Sequence, residues 1–211
     1  ARDIAKTIRE AFAVAKSGRP GPVLVDIPKD IQSQIINFNY PKGPVQVPGL
    51  PLKKYPEVSD LENAVTLIME SKKPVILAGH GILISGASKE VAELAELVNI
   101  PIGWTLLGSG AIPSSHPLNM GMMGMHGEFS VNNAIQEADL LIACGMRFDD
   151  RVTGNAATYS PNSKKIHIEI DPSEINKNIK VDLSIIGDLK TVLKQLNPML
   201  TKKVDNNWIE T

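Results

Sequence analysis

The chain carries one cysteine, Cys144, in 211 residues, so no internal disulfide framework holds it together. Cys144 closes the apolar run 139–144, which predicts a buried and unreactive thiol. No apolar stretch approaches the length of a membrane span, and no basic segment followed by an apolar one stands near residue 1. With 22 basic and 23 acidic residues the formal net charge is −1. That lacks the excess of one sign that draws proteins to nucleic acid or anionic lipid, so neither is an expected partner. The four histidines are scattered, with no His-x-x-x-His pattern and no cysteine partner, and the usual zinc arrangements are excluded. No Ser/His/Asp constellation or catalytic carboxylate pair stands out either. What is present is 43% apolar and 21% charged residues, ordinary for a globular protein. A cytoplasmic, reducing setting is expected. The first residue is Ala1 and helical periodicity begins almost at once, which leads us to expect a piece of a longer protein.

Ile4, Ile8, Ala11, Phe12 and Ala15 recur at helical spacing and predict a helix over 2–17. The breaker Ser17–Pro22 follows, then a short buried strand over Val23–Ile27 closed by Pro28. Residues 31–57 read as an extended linker: five prolines fall there, Pro41, Pro44, Pro48, Pro51 and Pro56. A second region opens at Ser59–Glu62, a capping-box pattern in which serine and glutamate each satisfy a helix-end amide. Five strands are expected over 74–78, 100–105, 139–145, 165–170 and 183–187, with helices over about 59–70, 86–98, 128–138 and 188–196. A long loop is expected over 106–127. Asp171 and Pro172 mark a helix start. Strands alternating with helices predict an α/β fold, a doubly wound and mainly parallel Rossmann-like sheet.

In such sheets ligands bind outside the carboxyl ends of the strands, which turns attention to the segments that follow them. Gly145–Gly154 places two arginines and two aspartates directly after the apolar strand 139–144. Such a density of both charges suits a charged, elongated ligand; self-paired surface charges are the plain alternative. Gly79-His80-Gly81 stands where a dinucleotide fold places its phosphate turn. Ile84 occupies the place of the third glycine of Gly-x-Gly-x-x-Gly, so a standard dinucleotide fingerprint is not met. Glu169 and Asp188, at two further strand ends, suit a ribose hydroxyl or an adenine amino group, or equally a helix cap. Asp171 reads as a cap. Met120, Met122, Met123 and Met125 alternate with glycines. An adaptable thioether loop of that kind moulds to a flat apolar object such as a flavin ring, or fills a core.

Together these stretches resemble the large catalytic subunit of acetohydroxyacid synthase (acetolactate synthase), a thiamine-diphosphate enzyme. The matching segments are Ser17–Asp30, Thr105–Gly108, Gly121–Gly127, Gly145–Gly154 and His167–Ile175, in the family's order over nearly the whole chain. The resemblance implies a division into the tail of an upstream pyrimidine-binding domain (1–30), a linker (31–57), a central FAD-binding domain of the DHS-like type (58–200) and the start of a linker (201–211) to a diphosphate-binding domain. It implies thiamine diphosphate and Mg2+ held by those other domains, FAD held by this one, 2-keto acid substrates, a homodimer or tetramer, and a separate small regulatory subunit. Carried over by motif position, the FAD contacts are Gly79, His80 and Gly81, Thr105 and Leu106, Met123, Gly124, Met125 and His126, then Gly145, Met146, Arg147, Phe148, Asp149, Asp150 and Arg151, with Glu169, Ile170, Asp188 and Leu189 at the adenosine end. His80 stands where the family carries a glycine or small residue, so its contact is expected through backbone. Arg151 is expected to hold the carboxylate of the acceptor keto acid, with Asp150 orienting it and Met125 shaping the pocket. These positions also line the herbicide channel of family members that bind sulfonylureas. No Gly-Asp-Gly motif occurs, so the chain alone is expected to be inactive. A related carboligase or oxidase, and a freestanding nucleotide-binding module, are the competing readings.

Overall fold

The computed structural model describes residues 1–50, 55–203 and 208, and the chain divides into two compact units, Ala1–Lys53 and Lys54–Thr211. In the first unit, α1 (Ile4–Ala15) falls within the expected helix, but none of its residues is buried, and Phe12 on its apolar stripe is 61% exposed. A single turn, α2 (Lys29–Gln32), follows. The Arg9 guanidinium donates to the carbonyls of Pro41 and Gly43 and lies over the Tyr40 ring, 5.7 Å from its centroid. The strand expected over Val23–Ile27 is not there: the segment joins no ladder among the described residues, and Leu24 is 90% exposed. A β-prone run becomes a strand only where a neighbour takes its amides and carbonyls.

The second unit begins with α3 (Val58–Glu70). The expected capping box does not form. The helix starts two residues early, with Glu57 rather than Ser59 at the cap position and no side-chain cap, so Ser59 sits inside the first turn. Strand β1 (Pro74–Ala78) leads into α4 (Gly81–Ser85) and α5 (Ser88–Val98). The helix expected over about 86–98 is α5; α4 is an additional short helix ahead of it, ended by left-handed Gly86. Next come β2 (Ile102–Trp104), β3 (Asn119–Met122), α6 (Phe129–Glu137), β4 (Leu140–Cys144), α7 (Asp150–Thr153), β5 (Lys164–Glu169), β6 (Leu183–Ile186) and α8 (Leu189–Leu196). β3 corrects the expected loop over 106–127. It pairs only with β2, at the sheet's edge, in shifted register. The helix expected after Asp171 is only a 3-10 turn, Pro172–Glu174, although Asp171 caps it by accepting from the Ser173 amide.

The sheet is six-stranded and all-parallel, in the order β3-β2-β1-β4-β5-β6. The central strands β1 and β4 are buried at every position, as a sheet covered on both faces requires. One face carries Ile76, Ala78, Ile142, Cys144, Ile166 and Ile168, closed over by apolar positions of α3, α5 and α8. The other carries Val75, Leu77, Leu141 and Ala143, closed over by Val131 and Ile135 of α6 and by Met146, Phe148 and Tyr159. Cys144 is fully buried, and burial pushes its thiol up to about 12, which leaves it protonated and inert.

Candidate functional site

Because every strand runs the same way, all their carboxyl ends lie on one edge, and the residues singled out in the sequence all follow those ends. Gly79–Gly81 follows β1, Thr105 and Leu106 follow β2, and Met123–His126 follows β3. Gly145–Arg151 follows β4, Ile170 follows β5 just after its last residue Glu169, and Asp188 and Leu189 follow β6. Backbone bonds stitch this edge together: Thr105 N–H to Ala78 O at 2.9 Å, Gly79 N–H to Cys144 O at 3.0 Å, Gly81 N–H to Gly145 O at 2.9 Å and Gly145 N–H to Ile168 O at 2.9 Å.

Successive crossovers go one way from β1 to β2 and β3, and the other way from β1's second neighbour β4 outward. The reversal falls between β1 and β4, the place where doubly wound sheets open a ligand crevice. Here glycine backbones fill the crevice floor. A Cβ on Gly79 would collide with the Gly145 carbonyl oxygen and stand 2.6 Å from the Met146 Cα, and one on Gly81 would stand 2.7 Å from the Gly145 Cα. Gly145 itself has φ +57°. The glycines of this turn therefore serve first the close approach of two loops.

The run Gly145–Arg151 sorts its residues by alternation. Met146 (3% exposed) and Phe148 (4%) point into the core, while Arg147 is exposed and Asp149 half-buried. Arg147 pairs with Asp149 at 3.4 Å. Asp149 also caps α7, accepting from the Arg151 amide at 3.2 Å. Asp150 and Arg151 are exposed, and no hydrogen bond or ion pair among the described residues engages the Arg151 guanidinium. The Arg151 carbonyl accepts from the Met125 amide at 2.9 Å, so the structure brings together the two loops that the resemblance assigns to the acceptor pocket. Gly124 is fixed between them by the Asn132 side chain, which exchanges two bonds of 2.9 Å with its backbone. A Cβ on Gly124 would stand 2.6 Å from the Arg151 carbonyl oxygen.

Other assigned side chains are committed elsewhere. Met123 is buried in the second core and only Met125 of the four loop methionines stays exposed, at 57%. Leu189 is buried in the first core. Glu169 is buried and accepts from the amides of Ile170 and Asp171. Asp188 caps α8 through Thr191. His80, Leu106, His126 and Ile170 are exposed and Thr105 half-buried. A groove lined by Leu118, Met120, Phe129, Ala134 and Trp208 lies on the β3–α6 side and touches none of the assigned residues. No helix among the described residues is long and apolar enough to cross a membrane, and no metal-ligating cluster occurs among them.

Two residues near the site escaped sequence reasoning. Asn132 carried no signal beyond being an amide inside a helix. His167, on β5, is 1% exposed, and its Nε2 lies 2.8 Å from the Met146 carbonyl oxygen. Burial depresses its pKa below the ordinary 6.5, against the opposing pull of that bond and of Glu174; the Glu169 carboxylate lies 4.0 Å away. The neutral ring is the folded form. Its stabilising contribution is therefore fully present above pH 6.5. It is lost as pH falls from there through the depressed folded value, because the unfolded chain takes up the proton first. The unfolding free energy from urea titrations should fall more steeply between pH 7.5 and 5.5 for wild type than for His167→Gln, by at most about 1.4 kcal/mol per pH unit; parallel curves would refute this.

The strand order, the reversal between β1 and β4 and the glycine approach there define a doubly wound α/β domain. The chain belongs to the thiamine pyrophosphate enzyme family: residues 61–196 match the model described as "Thiamine pyrophosphate enzyme, central domain". It is 47% identical over 213 residues to a probable acetolactate synthase large subunit of Methanocaldococcus jannaschii, covering 99% of this chain and 36% of that protein. It is 47% identical to the acetolactate synthase large subunit of Corynebacterium glutamicum, over 92% of this chain and 31% of that one. It is 46% identical to acetolactate synthase 2, chloroplastic, of Nicotiana tabacum, over 95% and 30%. The chain thus spans about a third of the length of the curated relatives it matches.

Proposed function

We propose that this chain is the central portion of an acetolactate synthase large subunit and that the carboxyl edge of its sheet binds FAD. The observation that carries the reading is the assembly of the segments after β1, β3 and β4, together with the identity to acetolactate synthases over nearly the whole chain. The residues present suit such a ligand. Exposed Arg147 and Arg151 offer cations for a pyrophosphate or a carboxylate. Exposed Met125 and Leu106 offer apolar surface to a ring. The buried positions Gly79, Met123, Met146, Phe148 and Leu189 contribute shape and backbone rather than side-chain contact.

In this reading the whole protein condenses two pyruvates to 2-acetolactate, or pyruvate with 2-ketobutyrate to 2-aceto-2-hydroxybutyrate, releasing CO2 on the route to branched-chain amino acids. The carbon–carbon chemistry is supplied by thiamine diphosphate with Mg2+, held by other parts of the polypeptide. This portion holds FAD, contributes Arg151, Asp150 and Met125 to the acceptor site, and has no activity alone. The parent works in the cytoplasm as a homodimer or tetramer with a small regulatory subunit.

The test is titration of the purified chain with FAD, followed by flavin fluorescence and melting temperature. Saturable quenching is expected, with a stabilisation of about 2.7 kcal/mol at a hundredfold excess over Kd. Absence of binding both here and in the full-length protein would overturn the FAD assignment.

A further inference from the structure

We infer that His167 is a positioning residue that holds the Gly145–Asp149 loop in the shape that presents Arg147 and Asp149 outward. The inference rests on the reading of that loop as the ligand-facing segment.

The odd positions of β5 put polar side chains against an apolar core: Lys165, His167 and Glu169 are all under 9% exposed. Lys165 satisfies itself on the carbonyls of Ser160 and Ser163, and Glu169 on the turn amides that follow it. His167 differs because its partner belongs to another loop, 21 residues away. A carbonyl only accepts, so Nε2 carries the proton and donates to Met146 O. Nδ1 is then left as a buried lone pair without a partner among the described residues. An orphaned buried acceptor is a standing penalty that an apolar residue of similar size would avoid. What the imidazole obtains in exchange is a grip on the loop.

That grip has two points. The ring holds Met146 through its carbonyl. It also packs edge-on against Phe148, with centroids 5.1 Å apart and planes at 73°, a favourable aromatic geometry. Phe148 is further fixed by the edge of Tyr159, and its carbonyl accepts from Asn178 Nδ2 at 2.8 Å. Met146 and Phe148 are the two inward residues of the run. In an extended segment the side chain between them must point the opposite way, and that side chain is Arg147. Fixing 146 and 148 therefore fixes the direction of the outward guanidinium and of Asp149 beside it.

Three variants test this in the 211-residue chain. His167→Gln keeps an N–H close to the position of Nε2. His167→Leu removes it, and His167→Asn carries an amide too short to reach the Met146 carbonyl. Two readouts are taken: backbone hydrogen exchange of residues 145–151 by mass spectrometry without ligand, and FAD affinity by flavin quenching. Leu and Asn should speed exchange in 146–149 and weaken FAD binding by about tenfold each, the scale of one lost buried hydrogen bond. Exchange in the strand 140–144 should stay slow. Gln should lie close to wild type in both. Exchange across 146–149 that is the same in wild type, Gln, Leu and Asn overturns the inference. If neither this chain nor the full-length protein binds FAD, the reading of the loop fails, while the exchange data still judge His167. If Leu does not fold, Asn against Gln decides.

Discussion

Adding one methyl group at Gly79 is expected to destabilise the sheet unit by about 3 kcal/mol, the upper end of overpacking effects. Gly79 is the first residue beyond β1, and its added Cβ would meet backbone on the facing loop: the Gly145 carbonyl and, at 2.6 Å, the Met146 Cα. Backbone cannot rotate away as a flexible side chain would. The Gly145 carbonyl is also the acceptor for the Gly81 amide, so moving it breaks a bond at the one place where the sheet changes winding direction. For a unit of this size the melting temperature should drop by roughly 10 °C. Gly21→Ala is the matched control: its Cβ has nothing within 4 Å and its backbone is not left-handed, so a change within about 0.5 kcal/mol is expected. Thermal unfolding followed by circular dichroism compares the two. A Gly79→Ala protein melting within about two degrees of wild type would mean that the loops part easily, and the account of these glycines would fall.

The same contact explains what was legible in advance. Gly79-His80-Gly81 and Gly145 are visible in the sequence as turn residues after strands, and parallel topology guarantees that such residues share an edge. That they pack on each other depends on β1 and β4 being neighbours, which no local pattern encodes. β1 and β4 were readable because both faces are buried and their sequences are continuous apolar runs. β3 was not: Asn119-Met120-Gly121-Met122 contains no β-branched residue and is only half-buried at the edge. The error at Val23–Ile27 runs the other way, since strong β-propensity there meets no partner strand among the described residues. β5 was expected and is found, but the environment of its polar residues was not legible. Lys165, His167 and Glu169 alternate with Ile166 and Ile168, and all five are buried; nothing in the sequence shows that the polar ones turn to local carbonyls, turn amides and one distant loop.

The electrostatics of the site edge follow the same division. The sequence assigned every residue of Gly145–Arg151 to a ligand; the structure instead turns Met146 and Phe148 into the core and spends Asp149 twice, on Arg147 and on the α7 cap. Arg147 is exposed but shares its charge with Asp149, whereas Arg151, whose guanidinium engages no ion pair among the described residues, is the freer cation for an external anion. Its backbone is structural, through the bonds to Asp149 and Met125, while its exposed guanidinium supports nothing else among the described residues.

On the proposed function, Arg151→Ala in the full-length protein should leave folding intact and strike recognition of the acceptor. A guanidinium meets a carboxylate through two parallel N–H donors, and such charge-assisted pairs contribute about 1.5–3 kcal/mol. The loss predicted is roughly 10- to 100-fold in kcat/KM for the acceptor keto acid. Melting temperature should move by less than about two degrees, because the amide and carbonyl of residue 151 remain in place. Arg151→Lys should recover only part of the loss, since an ammonium is a point charge without the two-pronged geometry. The informative measurement is the ratio of 2-acetolactate to 2-aceto-2-hydroxybutyrate from mixed pyruvate and 2-ketobutyrate. The two acceptors differ by one methylene, so an acceptor carboxylate held less firmly should lose discrimination between them as well as affinity. If the ratio and the acceptor KM of Arg151→Ala both match wild type, the acceptor carboxylate is held elsewhere, and Arg151 is left as a solvated charge on the rim of the sheet.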